Sequence, residues 1–136
     1  MILRVRFAET DAMGVAHHGA YPTWLEAARV EWMRERGLRY RDLEGDGISM
    51  AVAHLDVRYR RAARFDDELV VRTALTSLRS RHATFAYRID LASGDGVGAT
   101  VATATTAHVP TDRTGRAVRV PRPWLDALAA HVAPLD

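Results

Sequence analysis

The 136-residue chain has no cysteine, which excludes disulfides, thiolate nucleophiles and cysteine-ligated zinc or iron–sulfur centres together. It also lacks lysine, asparagine and glutamine, so all 19 basic residues are arginine. GC-rich coding explains that bias better than a need for guanidinium chemistry, and the arginine count alone identifies no partner. No run of about 18 apolar residues occurs, and Arg4 and Arg6 interrupt the apolar opening MILRVRF, so neither a membrane span nor a secretory signal is expected. The expected location is the cytoplasm. Serine is sparse, and none of Ser49, Ser77, Ser80 and Ser93 sits in a G-x-S-x-G setting, which speaks against a serine-hydrolase triad. The net charge is only +2, with acids interspersed among the arginines and no basic-aromatic stripe, so nucleic acid is not the expected partner.

What the chain does have is 48% hydrophobic residues without a low-complexity tract, enough for one globular domain over residues 1–136 that buries roughly two thirds of its unfolded surface. Ile2 to Ala8 alternates in the period-two manner of a half-buried strand. From Tyr21, apolar residues recur at Trp24, Leu25, Ala28 and Trp32, the spacing of one helix face, with Pro22 suited to the first turn and Gly37 to the stop. Four strand-like segments follow, Ile48 to Tyr59, Glu68 to Leu78, His82 to Leu91 and Gly98 to Val109, joined by short connections that suit antiparallel hairpins. LEGDG between helix and strands reads as a turn. Pro121-Arg122-Pro123 opens a short C-terminal helix with Trp124, Leu125 and Leu128. This is an α+β layout, and one helix cannot cover five strands on both faces. Either the sheet curls around the helix or a second subunit completes it.

Among candidate chemical groups, Gly94, Gly96 and Gly98 resemble a dinucleotide loop only superficially, because a strand rather than a helix follows them. His17 and His18 are adjacent, which on regular structure sends their side chains in different directions, and no third ligand lies at metal-binding spacing. No metal site is expected. His54, His82 and His108 lie within strand segments and read as structural. Asp11 differs by position. It follows a strand, precedes Gly14 and lies just upstream of the helix start. A helix N-terminus offers unpaired N–H groups that polarise a carbonyl oxygen, and a carboxylate beside them can serve as general base or nucleophile. The alternative is that Asp11 caps the turn before Gly14. Physics alone leaves both open.

The stretch from Phe7 to Tyr21, FAETDAMGVAHHGAY, followed by Trp24, Glu26 and Arg29, resembles the signature of the 4-hydroxybenzoyl-CoA thioesterase family, and within it the branch of bacterial acyl-CoA thioesterases, some associated with the Tol-Pal system. The likeness continues through Ala63-Arg64-Phe65-Asp66-Asp67-Glu68-Leu69 and the Ser77-Leu78-Arg79 bend, and covers nearly the whole chain. It implies the hotdog fold, a long central helix wrapped by a five-stranded curled antiparallel sheet, assembled as a homodimer or homotetramer. It also implies hydrolysis of an acyl-CoA thioester without metal or other cofactor.

Carried across by position, the resemblance makes Asp11 the catalytic carboxylate and His18 the residue whose backbone N–H polarises the thioester carbonyl. Tyr21 matches a pocket-lining position. Glu26 matches an acidic one, although an ion pair with Arg29, one turn along the helix, is favoured for it. Arg79 and Arg81 match the bend where relatives bind the phosphates of coenzyme A, while Arg58, Arg60 and Arg61 read as a solvated strand edge. Two departures stand out. Ala62 replaces a proline, and His17 replaces an aromatic residue, which bears on the size and polarity of the acyl group. The alternatives are a thioesterase acting on acyl-carrier protein and a non-catalytic acyl-CoA-binding or assembly protein.

Overall fold

The computed structural model describes residues 1–136. Five strands form one antiparallel sheet: β1 (Ile2–Arg4), β2 (Ser49–Tyr59), β3 (Glu68–Arg79), β4 (His82–Leu91) and β5 (Thr100–Thr111), in the spatial order β1-β3-β4-β5-β2. The helices are α1 (Ala20–Glu35), α2 (Tyr40–Gly45) and α3 (Arg122–Ala129). This is the α+β, helix-and-curled-sheet arrangement that the segment order predicts.

The inner face of the sheet follows from its register. Ile89 pairs with Ala102, Tyr87 with Ala104, Phe85 with Thr106 and Ala83 with His108, and all eight residues are buried. Residues directly opposite each other share a face, so these pairs define a continuous surface. Helix α1 lies across it, burying Trp24, Leu25, Ala28, Trp32 and Met33, with Trp32 edge-on to Phe85 at 5.4 Å between ring centroids. The helix ends as expected. Gly37 takes φ +74°, and the Gly37 and Leu38 amides bond back to Arg34 and Met33, a left-handed glycine stop.

Four local expectations need correction. The first strand stops at Arg4, because Phe7–Glu9 forms a single 3-10 turn in which the Arg6 amide donates to Glu9 Oε1 at 2.8 Å. LEGDG is not merely a turn, since Leu43 is buried and Tyr40–Gly45 is helical. The last strand begins at Thr100 rather than Gly98, because Gly94, Gly96 and Gly98 all adopt positive φ in the preceding turns. The third strand runs one residue further, to Arg79.

The two sheet edges differ. The β3 edge is capped by β1 over Glu68 to Val70 and, further along, by the C-terminal tail, whose Ala133 amide donates to Leu75 O at 3.0 Å. The β2 edge is bare. Most of its 11 residues are exposed, including Val52, Leu55 and Tyr59, which share the inner face with His108, Thr106 and Ala102.

Candidate active site

The segment from Glu9 to Gly19 is a narrow hairpin built from backbone bonds. Thr10 bridges Ala16, and the Asp11 amide donates to Val15 O at 2.9 Å. Gly14 turns the chain at φ +76° and donates to Asp11 O at 3.0 Å. The hairpin is pinned to the body by Ala16 N to Ala63 O at 2.7 Å, by the Val15–Arg64 bridge and by His17 N to Glu9 O at 2.6 Å. Glycine at that corner is required because the left-handed region costs other residues roughly 1–2 kcal/mol.

Within this frame Asp11 is half-buried. Its Oδ1 accepts the Met13 amide at 2.8 Å, the turn-capping bond that sequence alone allowed, while its Oδ2 accepts nothing from the protein. No arginine pairs with it. His17 and His18 do not diverge as regular structure would require. The loop stacks them, 4.1 Å between ring centroids and 29° between planes. His17 Nδ1 accepts the Gly19 amide at 2.9 Å and its carbonyl accepts the Ala20 amide, so His17 builds the helix start. The His18 side chain is exposed, and its backbone N–H has no acceptor in the protein, leaving a donor at the positive end of α1.

Tyr21 is buried, packed against Trp24 and edge-on to Tyr59 at 4.9 Å. Burial, and then the neighbouring Tyr59, push its phenol up to about 12, so it stays neutral. Tyr59 also donates to His18 O at 3.4 Å, tying the end of β2 to the helix start. Glu9 went unnoticed in the sequence. It takes Trp24 Nε1 at 2.7 Å and the Arg6 guanidinium at 3.0 Å. Burial alone would raise its carboxyl, but the bonds from Arg6 and Trp24 outweigh it and hold the group below the usual carboxylate value. A bond spanning residues 9 and 24 leaves no spacing signal.

Other expected site residues lie elsewhere. Glu26 is exposed and forms no ion pair with Arg29, which instead donates to Tyr87 Oη at 3.2 Å. That expected pair is therefore absent. Arg79 and Arg81 are exposed around the β3–β4 turn, at the opposite end of β3 from the Asp11 hairpin, roughly 36 Å of strand away at 3.3 Å per residue. One protomer does not bring them to Asp11. No group of three or more His, Asp or Glu residues is arranged to hold a metal ion.

Residues 5–130 match the model of the thioesterase-like superfamily. The chain belongs to that family. It is 34% identical over 87 residues to the acyl-CoA thioester hydrolase YbgC of Escherichia coli, a match covering 64% of this chain and 65% of that protein. Among solved structures, a hypothetical protein of Thermus thermophilus superposes with TM-score 0.87 at 36% identity, covering 98% of both chains. The 1,4-dihydroxy-2-naphthoyl (DHNA)-CoA thioesterase of Staphylococcus aureus superposes with TM-score 0.87 at 28% identity, over 96% of this chain and 87% of that one. The hotdog fold and the family resemblance carried by the Asp11 motif are both borne out.

Proposed function

We propose that the protein is an acyl-CoA thioesterase that cleaves the thioester between the Asp11 carboxylate and the helix-start amide of His18, without a cofactor. The observation that carries this reading is the pairing, in one rigid hairpin, of a half-buried carboxylate with a free Oδ2 and a backbone N–H with no internal acceptor. The thioester oxygen accepts from His18 N–H as it becomes an oxyanion. Asp11 either takes a proton from the attacking water and returns it to the departing thiolate, or attacks the carbonyl carbon itself, expelling the thiolate and leaving an anhydride that water opens. Label found in Asp11 after a single turnover in ¹⁸O-water establishes the nucleophilic route, with water opening the anhydride at the Asp11 carbonyl. Such a donor contributes about 10²- to 10³-fold and general-base help about 10²- to 10⁴-fold.

The bare β2 edge supports assembly as a homodimer, because an 11-residue strand with exposed inner-face apolar residues and no proline to blunt it is a template for pairing. Full-length antiparallel pairing of two β2 strands sets Tyr59 of one protomer beside the partner's Ser49. It thereby carries the partner's β3–β4 turn toward the Asp11 hairpin. This is how Arg79 and Arg81 reach the phosphates of a coenzyme A bound at the other protomer. No helix of the protein is long and apolar enough to cross a membrane, and with acyl-CoA as substrate the reading places the protein in the cytoplasm.

Thiol release across acyl-CoA esters of different length and ring content, with matched acyl-carrier substrates alongside, tests the reading. Release from one or more CoA esters is expected. A second reading, an acyl-CoA-binding protein without turnover, draws on the Asp11–Met13 capping bond and predicts thermal stabilisation by acyl-CoA with no thiol released.

A further inference from the structure

At the far end of the inner face from the Asp11 hairpin, a cavity of about 650 Å³ opens between α1, α2 and β2. Val30, Met33, Met50, Val52 and Phe85 give it apolar walls, and Arg29 and His108 also line it. Behind these two runs a chain of hydrogen bonds. Arg29 Nη1 lies 3.2 Å from Tyr87 Oη, which lies 2.7 Å from Thr106 Oγ1, which lies 2.8 Å from His108 Nε2.

The direction of that chain is set from its two ends. Arginine only donates, so Tyr87 Oη accepts from Arg29. Burial and the nearby Arg29 charge lower the His108 pKa to about 4 and keep the imidazole neutral. The Met50 carbonyl beside Nδ1 can only accept, so the ring proton lies on Nδ1, Nε2 accepts from Thr106, and Thr106 accepts from Tyr87. Nδ1–H faces only Met50 O, at 3.5 Å, too long for a well-formed bond. Arg29 spends one donor on Tyr87, and no acid pairs with it. Elsewhere around the cavity stand Arg34, Arg39 and Arg41 together with Glu26 and Glu44; Arg34 is already committed to Glu31, and Arg39 lies 4.0 Å from Asp42. Beyond those mouth glutamates, both of them exposed, the inner wall offers apolar surface, one unpaired half-buried guanidinium and one under-used N–H donor.

That combination fits a carbon skeleton ending in a carboxylate. A guanidinium fork matches the two oxygens of a carboxylate, and a methyl-ended chain would cover the charge without pairing it. Along a single α1, roughly 16 Å separates His18 from Arg29. The two-fold pairing of β2 removes that distance, because it lays Tyr59 and the His18 carbonyl it touches beside the partner's Ser49 and Met50, at the mouth of the partner's cavity. We propose that the cavity receives the acyl group of a thioester held at the partner's helix start, and that Arg29 and His108 select acyl groups ending in a carboxylate. The inference rests on the thioesterase and two-fold readings above.

The test is the ratio of kcat/KM for adipoyl-CoA to that for hexanoyl-CoA, two esters matched in length that differ in carboxylate against methyl end. Wild type should favour adipoyl-CoA by about 10- to 100-fold, the scale of a hydrogen bond to a charged group. Arg29→Met should bring the ratio to one or below, and Arg29→Lys should restore part of it. General damage lowers both rates and cancels in the ratio. A wild-type ratio at or below one overturns the inference, as does a ratio that Arg29→Met leaves unchanged. If neither ester is hydrolysed, calorimetric binding of the same two esters decides: tighter adipoyl-CoA binding, lost in Arg29→Met, upholds it, and equal binding overturns it. Failure to hydrolyse any CoA ester counts instead against the thioesterase reading.

Discussion

The two ends of the inner face are built in opposite ways. At one end, the Asp11 hairpin is a short contiguous stretch held by backbone bonds, open to solvent, with a free carboxylate oxygen and a free amide. At the other, Arg29, Tyr87, Thr106 and His108 come from a helix and two strands and meet through side chains, with the last three buried. Chemistry that must touch water and a leaving group suits the first construction. Recognition of a distal group in an apolar wall suits the second, where an unpaired polar atom is expensive and discrimination correspondingly large.

The sharpest way to break this contrast is Asp11→Asn. If the hairpin serves catalysis alone, kcat falls about 10²- to 10⁴-fold, because the amide keeps the Met13 capping bond and loses the base or nucleophile. The melting temperature stays within a few degrees. Full retained turnover by a thiol-release assay would end the assignment of Asp11, and a large fall in melting temperature would mean that the charge of Asp11, rather than its retained bond to Met13, serves the fold.

The opposite end should show itself in pH rather than turnover. His108 is held neutral at a folded pKa of about 4, against about 6.5 when unfolded. Between those values the unfolded chain binds more protons, so stability rises with pH, is fully present above about 6.5 and is lost progressively as pH falls toward 4. The span is worth about 3 kcal/mol. Denaturant unfolding of wild type at pH 7 and pH 4.5 should show most of that loss, and His108→Phe should flatten the pH dependence. An equal slope in both proteins would mean that other groups carry it.

The same contrast explains what the sequence reveals. Asp11, Gly14 and His18 are neighbours whose spacing encodes a turn and a helix start, and the α1 stripe and strand order are likewise local patterns. The network of residues 29, 87, 106 and 108 depends on the β4–β5 register and on where α1 crosses it, information no short spacing contains. Arg29 was expected to pair with Glu26 because helix periodicity sees only its own face, whereas Tyr87 approaches from the sheet. The short α2 escaped notice because its one deeply buried side chain, Leu43, gives no periodicity. Stacking of His17 on His18 required a loop geometry that regular-structure reasoning does not supply.

A smaller test of the buried end is Tyr87→Phe. It removes the hydroxyl that accepts from Arg29 and donates to Thr106, so Thr106 Oγ1 loses a donor inside the core while the ring still fills its place. The expected cost is about 1–3 kcal/mol in unfolding free energy. The adipoyl to hexanoyl ratio should also fall, because Arg29 loses the contact that orients it. A stability loss with an unmoved ratio would separate the network's structural part from its part in selection.

The smallest effect belongs to the hairpin corner. Gly14 has open space around a built Cβ, so Gly14→Ala meets no clash, and only the positive φ of +76° resists it. Roughly 1–2 kcal/mol of strain results. Relaxing that strain rotates the Asp11–Gly14 turn, so turnover should fall with the stability loss, in contrast to Asp11→Asn, where the two separate. If Gly14→Ala instead lowers melting temperature while kcat holds, the hairpin tolerates more movement than its dense backbone bonding suggests, and the free amide of His18 rather than the aim of Asp11 sets the rate.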